Sequence, residues 1–191
     1  SVTQAAAVEA VYSQAVSDFG TLHATINNAG ILRDGLLVKV KEGKVQKFSM
    51  SKWQAVIDTN LTGVFLCARE AAAQFVEQKK PGVIINIASV ARSGNFGQSN
   101  YSAAKAGVCA MTVLWAQELA QHGIRVAAIA PGITATERVV SLRDDIKEKF
   151  TKSIPVRRFA EPSEMSDGAL FILKNEYYSG RVLEIDGGVR I

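Results

Sequence analysis

Read for period, the chain alternates long stretches in which apolar residues recur every three or four positions with short, nearly continuous apolar runs. Residues 2–19 carry Val8, Val11, Tyr12, Ala15, Val16 and Phe19 on one recurring stripe, which predicts a helix ended by Gly20. Residues 22–26 read as the first strand. Residues 53–80 predict a helix broken or bent near Asn60 and terminated by Pro81 and Gly82. The run 83–88 has no polar alternation beyond Asn86, as expected of a parallel strand covered on both faces. A helix over 100–121 follows, with Ala104, Val108, Met111, Trp115 and Leu119 as its core stripe, and strands over 124–130 and 182–185 complete the pattern. Between them, residues 36–52 alternate Val38, Val40, Val45 and Phe48 with lysines around Glu42 and Gly43, which reads as a small exposed hairpin inserted in the fold. It serves either as a solvated surface insertion or as a wall over a site mouth or an oligomer contact.

Strands separated by helices imply βαβ units, a parallel sheet and an α/β fold in one domain over residues 1–191. In such sheets ligands bind at the carboxyl ends of the strands. The distinctive residues fall there: Asn27 after the first strand, Ser89 after the second, Pro131 after the third. Ser89 is followed twelve residues later by Tyr101, and Lys105 stands four beyond it. On a helix those four positions put Tyr101 and Lys105 on one face. A fixed ammonium beside a phenol stabilises the phenolate, and bringing a tyrosine from its usual pKa to ~7 takes roughly 4 kcal/mol of such stabilisation. The Ser89 hydroxyl is placed to bind the oxygen that the tyrosine protonates.

Composition narrows the class without deciding it. Hydrophobic residues make up 48% and charged residues 21% of the chain, an ordinary globular balance. The formal charge of +4 comes from scattered lysines and arginines with no basic run interleaved with aromatics, which argues against nucleic-acid binding. No apolar run approaches a membrane span, and the polar N-terminal residues do not resemble a secretory signal, so the expected location is cytoplasmic. Cys67 and Cys109 lie in helical patterns without CxxC spacing and read as buried free thiols. No His/Cys cluster suggests a metal.

Taken together, Asn27-Asn28-Ala29-Gly30, the Asp58 to Gly63 segment with Asn60, Ser89, the Tyr101-xxx-Lys105 pair, Pro131-Gly132 and the final Asp186-Gly187-Gly188 resemble the short-chain dehydrogenase/reductase family over essentially the whole chain. The resemblance implies a Rossmann-like, doubly wound parallel sheet and reversible hydride transfer between NADP or NAD and a carbonyl or alcohol. NADP is the one it favours. It assigns Tyr101 as proton donor, Ser89 as hydrogen-bond donor to the reacting oxygen, Lys105 as the cation that acidifies Tyr101 and holds the nicotinamide ribose, and Asn60 as the residue that orders a water behind the lysine. Asn27, Asn28, Ala29 and Gly30 would meet the adenosine and ribose. Pro131, Gly132, Thr134 and Thr136 would meet the carboxamide and phosphates, although the family more often has a branched aliphatic residue where Thr134 stands.

The segments GNFGQSNYSAAKAG and IPVRRFAEPSEM look most like reductases of 3-oxoacyl carrier-protein thioesters and of acetoacetyl-CoA. The implied substrate is a 3-oxoacyl thioester or a similar small ketone. His122 and Lys79 or Lys80 stand where carrier-protein-dependent members present arginines, which tilts the carrier toward coenzyme A. Helices 53–80 and 100–121 pair across a two-fold in the family, so a homodimer or homotetramer is expected. The resemblance also predicts a glycine-rich phosphate turn and three strands ahead of residue 1, which this sequence does not contain. The expectation is therefore of a longer natural product, the alternative being an inactive family member that serves as a partner subunit. The chain alone is expected to bind whole dinucleotide poorly; titration with NADH and NADPH checks this, micromolar binding of either being the contrary result.

Overall fold

Parallel strands need long crossovers, and the computed structural model of the chain, which describes residues 1–190, supplies them with helices. In chain order the elements are α1 (Ala5–Phe19), β1 (Ala24–Asn27), β2 (Val38–Lys41), β3 (Lys44–Lys47), α2 (Met50–Ile57), α3 (Gly63–Glu77), β4 (Gly82–Ile87), α4 (Ser99–Glu118), β5 (Ile124–Pro131), α5 (Glu137–Val140), α6 (Asp144–Ser153), α7 (Pro162–Lys174) and β6 (Val182–Ile185). The sheet runs β1-β4-β5-β6, all parallel, while β2 and β3 form a separate antiparallel hairpin with every residue exposed.

The apolar runs are continuous because both sheet faces are covered. Successive strand residues point to opposite sides. Ile84 and Val126 pack with Ala68, Ala71 and Phe75 of α3, and Ala128 and Ala130 pack with Val108 of α4. Their neighbours Ile85, Ala127 and Ile129 turn the other way, onto Ile172 of α7. Helices on both faces of a parallel sheet make the doubly wound, Rossmann-like arrangement.

A chain of buried polar residues runs through this core. Asn86 of β4 is fully buried; its Oδ1 accepts from Asn27 Nδ2 at 2.8 Å, and its Nδ2 donates to Thr112 Oγ1 at 3.0 Å. The Thr112 hydroxyl donates in turn to the Val108 carbonyl at 2.8 Å. A buried amide is tolerated when both of its ends are paired, and this chain of bonds ties β1, β4 and α4 together.

Several elements differ from the sequence pattern. The break near Asn60 is a wide π-helical turn over Asp58–Thr62 that joins α2 to α3. Of the apolar stripe on α1, Val8 is buried, but Val11 and Phe19 are 65% and 80% exposed. The reason is that β1 has a sheet neighbour on one side only, so nothing among the described residues covers the outer part of α1. Cys67 and Cys109 are half-buried rather than buried. Helices α5, α6 and α7 have no counterpart in the periodicity reading. For α7 a local signal existed: Glu161 and Glu164 form a capping box, and Pro162 opens the helix.

Replacing Thr112 with Val keeps the shape of the side chain but leaves Asn86 Nδ2 without an acceptor in the core. We expect Thr112→Val to lower stability by about 1–3 kcal/mol in urea unfolding. A loss under ~0.5 kcal/mol would mean that the Asn86–Thr112 bond does not hold α4 to the sheet.

Candidate active site

Three strand ends and the turns that follow them build the site. Ser89, two residues past β4, is extended (φ −170°, ψ 155°) and opens a 3-10 turn over Val90–Ser93; its Oγ accepts from the Ala91 N–H at 3.1 Å. Arg92, in that turn, donates its guanidinium to the Ser89 carbonyl at 3.3 Å and pairs with Glu184 of β6. The chain then needs Gly94, whose φ of +113° is a conformation other residues rarely adopt, to turn back toward α4. The Gly35 N–H donates to the Gly97 carbonyl at 2.8 Å, which fastens this turn to the loop after β1.

Asn100 sets the start of α4. It is fully buried, its Nδ2 donates to the Arg33 and Lys52 carbonyls at 3.2 and 2.9 Å, and its Oδ1 accepts from the Tyr101 N–H at 2.8 Å. Tyr101 and Lys105 follow on one face of the helix, with Lys105 Nζ 5.7 Å from the centre of the Tyr101 ring. The ammonium is buried and donates to the carbonyl of Ile87, the last residue of β4.

A cleft of about 270 Å³ collects the rim residues: Asn28, Gly30, Ile31 and Leu32 from the turn after β1, Ile87 from β4, Tyr101 and Lys105 from α4, and Arg138 from α5. The expected residues thus divide into groups. Asn28, Gly30, Tyr101 and Lys105 share the cleft; Ser89 is not among its lining residues, although its hydroxyl lowers the pKa of the Tyr101 phenol. Asn27 turns instead into the core, bonded to Asn86. Ala29 lines a separate hollow of about 290 Å³ against α1, shared with Asn27 and Asn28.

Asn60 lies behind the cleft. Its Oδ1 accepts from the Ile31 N–H at 2.8 Å and its Nδ2 donates to the Ile31 carbonyl at 2.9 Å, so both ends of its amide hold the cleft wall. Pro131 closes β5, and Gly132 approaches Asp186 so closely that a Cβ would stand 2.7 Å from the Asp186 Cα. Thr134 pairs its backbone with Ala160, and its hydroxyl is buried with no hydrogen-bond partner among the described residues. Thr136 is exposed at the start of α5, and its side chain makes no capping bond. From this loop it is Arg138 that lines the Tyr101 cleft.

One electrostatic expectation is reversed. Burial, the largest influence, pushes the Tyr101 phenol up from its ordinary value; the Ser89 hydroxyl pulls it partly back, Asp34 raises it further and Arg138 lowers it. In the resting site the Lys105 Nζ is turned to the Ile87 carbonyl, and burial pushes it down to about 8. Asn100, Arg92 and Arg138 were not singled out from the sequence. Only Asn100 carried a signal, as the residue directly before the Tyr101-xxx-Lys105 pair. No group of metal-ligating side chains occurs among the described residues.

Comparison with known proteins bears on this geometry. The family described as Enoyl-(Acyl carrier protein) reductase matches residues 1–190. The 3-oxoacyl-(acyl-carrier-protein) reductase FabG of Staphylococcus aureus (strain Mu50) is 40% identical over 191 residues, covering 98% of this chain and 74% of the relative. FabG of Thermotoga maritima is 40% identical over 193 residues, covering 100% and 75%, and a 3-oxoacyl-(acyl-carrier-protein) reductase of Synechocystis is 40% identical over 192 residues, covering 98% and 73%.

The burial of Lys105 has a sign that unfolding can read. Its pKa is lowered from 10.5 to about 8, so between these values the unfolded chain binds the proton and the folded chain does not. Stability then rises with pH across that window; below about 8 the buried ammonium costs the native state about 3 kcal/mol. Lys105→Met is expected to raise stability at pH 7 by about 2–3 kcal/mol and to flatten the rise above pH 8. Equal urea midpoints for the two proteins at pH 7 would contradict this.

Proposed function

The chain belongs to the short-chain dehydrogenase/reductase family of oxidoreductases, and from that membership we propose that it reduces the 3-oxo group of an acyl thioester to an alcohol, with Tyr101 as the proton donor and NADPH as the reductant. The observation that carries the reading is the cleft in which Tyr101 and Lys105 meet Asn28 and Gly30, with Ser89 acting on the same phenol. The residues present fit the nicotinamide end of such a cofactor. The cleft is lined by two cations and no carboxylate, and the buried Thr134 hydroxyl on the adjoining loop has no partner among the described residues. Asn28, Gly30 and Lys105 would hold the ribose side, and Thr134 the carboxamide. When bound, the cofactor supplies the hydride.

The side chains manage the proton. As the carbonyl carbon is reduced, its oxygen gains negative charge; the Ser89 hydroxyl donates a hydrogen bond to it and the Tyr101 phenol transfers its proton, leaving a phenolate and a neutral alcohol. Burial keeps Tyr101 protonated at neutral pH, which is the form a donor needs. An alkoxide is a far stronger base than a phenolate, so this transfer runs downhill even from a phenol of raised pKa. The nearby Lys105 ammonium then stabilises the transient phenolate until solvent restores its proton.

The 3-oxoacyl substrate is supported by the names of the relatives at 40% identity, and the serine hydroxyl and phenol suit a polarised C=O. Absorbance assays with NADPH and matched 3-oxoacyl and enoyl thioesters test it; turnover of the enoyl thioester alone would overturn the reading. In a version that also carries the expected dinucleotide-binding strands, Tyr101→Phe is expected to lower 3-oxoacyl reduction by roughly 10²–10⁴-fold, and Ser89→Ala by about 10²-fold, with cofactor binding retained. Because the lowered pKa of Lys105 makes it neutral above about 8, the reduction rate should fall as pH rises through that value. A rate flat to pH 10 would remove Lys105 from the chemistry.

A further inference from the structure

Arg138 is one of two arginines whose guanidinium has no partner among the described residues. Every other arginine except Arg181 has a hydrogen-bond or ion-pair partner for its guanidinium, whereas Arg138 and Arg181 have none among the described residues. Of these two free guanidinium groups, Arg138 lies on the wall of the cleft that holds Tyr101 and Lys105. Its neighbour Glu137 makes no ion pair with it, and no Asp or Glu lines the cleft. Lys105, the other cation there, is turned inward to the Ile87 carbonyl. The cleft therefore presents one uncommitted, planar, permanently charged donor fork at its mouth. Its chemical complement is an oxyanion with two acceptor oxygens side by side.

The reacting end of an acyl thioester carries no charge. The nicotinamide ribose, which the proposed function sets against Tyr101 and Lys105, carries a phosphate on its 5′ carbon. We propose that Arg138 is a phosphate-binding residue that takes this phosphate; the inference rests on the reading of Tyr101 and Lys105 as the ribose side of the site. Its charge is felt at the Tyr101 phenol, which agrees with a guanidinium facing the cleft. Because the side chain is largely solvent-exposed, the contact is screened by salt.

Two small ligands isolate the contact. Reduced nicotinamide mononucleotide and reduced nicotinamide riboside differ only in this phosphate, and neither requires an adenosine site. Titrated into the chain with protein NMR as readout, the mononucleotide should bind about tenfold more tightly at low salt, by a margin that shrinks as salt is added. Arg138→Ala should bring the ratio to about one, and Arg138→Lys should retain about threefold. An unchanged ratio in Arg138→Ala, or an equal loss for both ligands, overturns the assignment while leaving the oxidoreductase reading in place. A wild-type ratio of one does the same. Failure of the wild type to bind either ligand at millimolar concentration overturns both the Arg138 contact and the ribose-side reading.

Discussion

The site depends on a buried ammonium finding a carbonyl. Lys105 is 3% exposed, and a charge removed from water to that degree must be paired or neutralised. The Ile87 carbonyl at the end of β4 provides the partner. The residue before it, Asn86, bonds to Thr112, two helical turns beyond Lys105. Consecutive positions on one strand thus grip positions seven apart on one helix, which fixes both the height and the rotation of α4 over the sheet. Tyr101, one turn earlier on the same face as Lys105, is placed by that geometry.

Much of this was legible in the chain and some was not. Period and spacing exposed the parallel strands, the bend at Asn60, the hairpin, and the Ser89, Tyr101 and Lys105 set, because each depends on local repeats or fixed separations. The Asn27–Asn86–Thr112 chain was hidden, since its members lie far apart in sequence and each looks unremarkable alone. Arg138 was hidden for another reason: what distinguishes it is a guanidinium without a partner among the described residues on the wall of the cleft, which only the packed chain reveals. The outward face of α1 misled the periodicity reading because an apolar stripe marks a surface that can be buried, whether or not the described residues bury it.

The acidity of Tyr101 shows where spacing alone fails. Two residues at i and i+4 share a face, but the sign of their interaction depends on where the charge points and on how much water reaches the pair. With Nζ directed to Ile87, Lys105 leaves desolvation as the governing influence on both groups, raising the phenol and lowering the ammonium. Both shifts favour the less charged form.

The rim is held mainly by neutral amides, and this choice has an electrostatic consequence. Loops at strand ends lack ladder partners for their backbone groups, so side chains must supply them. Asn60 gives both ends of its amide to Ile31, and Asn100 bonds the Arg33 and Lys52 carbonyls as well as the Tyr101 N–H. A carboxylate in either place could accept but not donate, and would set a negative charge beside Lys105 and Arg138. That charge would raise the Lys105 pKa, hold its ammonium in an ion pair and weaken the cleft for an anion. Amides satisfy the backbone without touching the field. The amide scaffolding adds no charge of its own to the positive lining of the cleft.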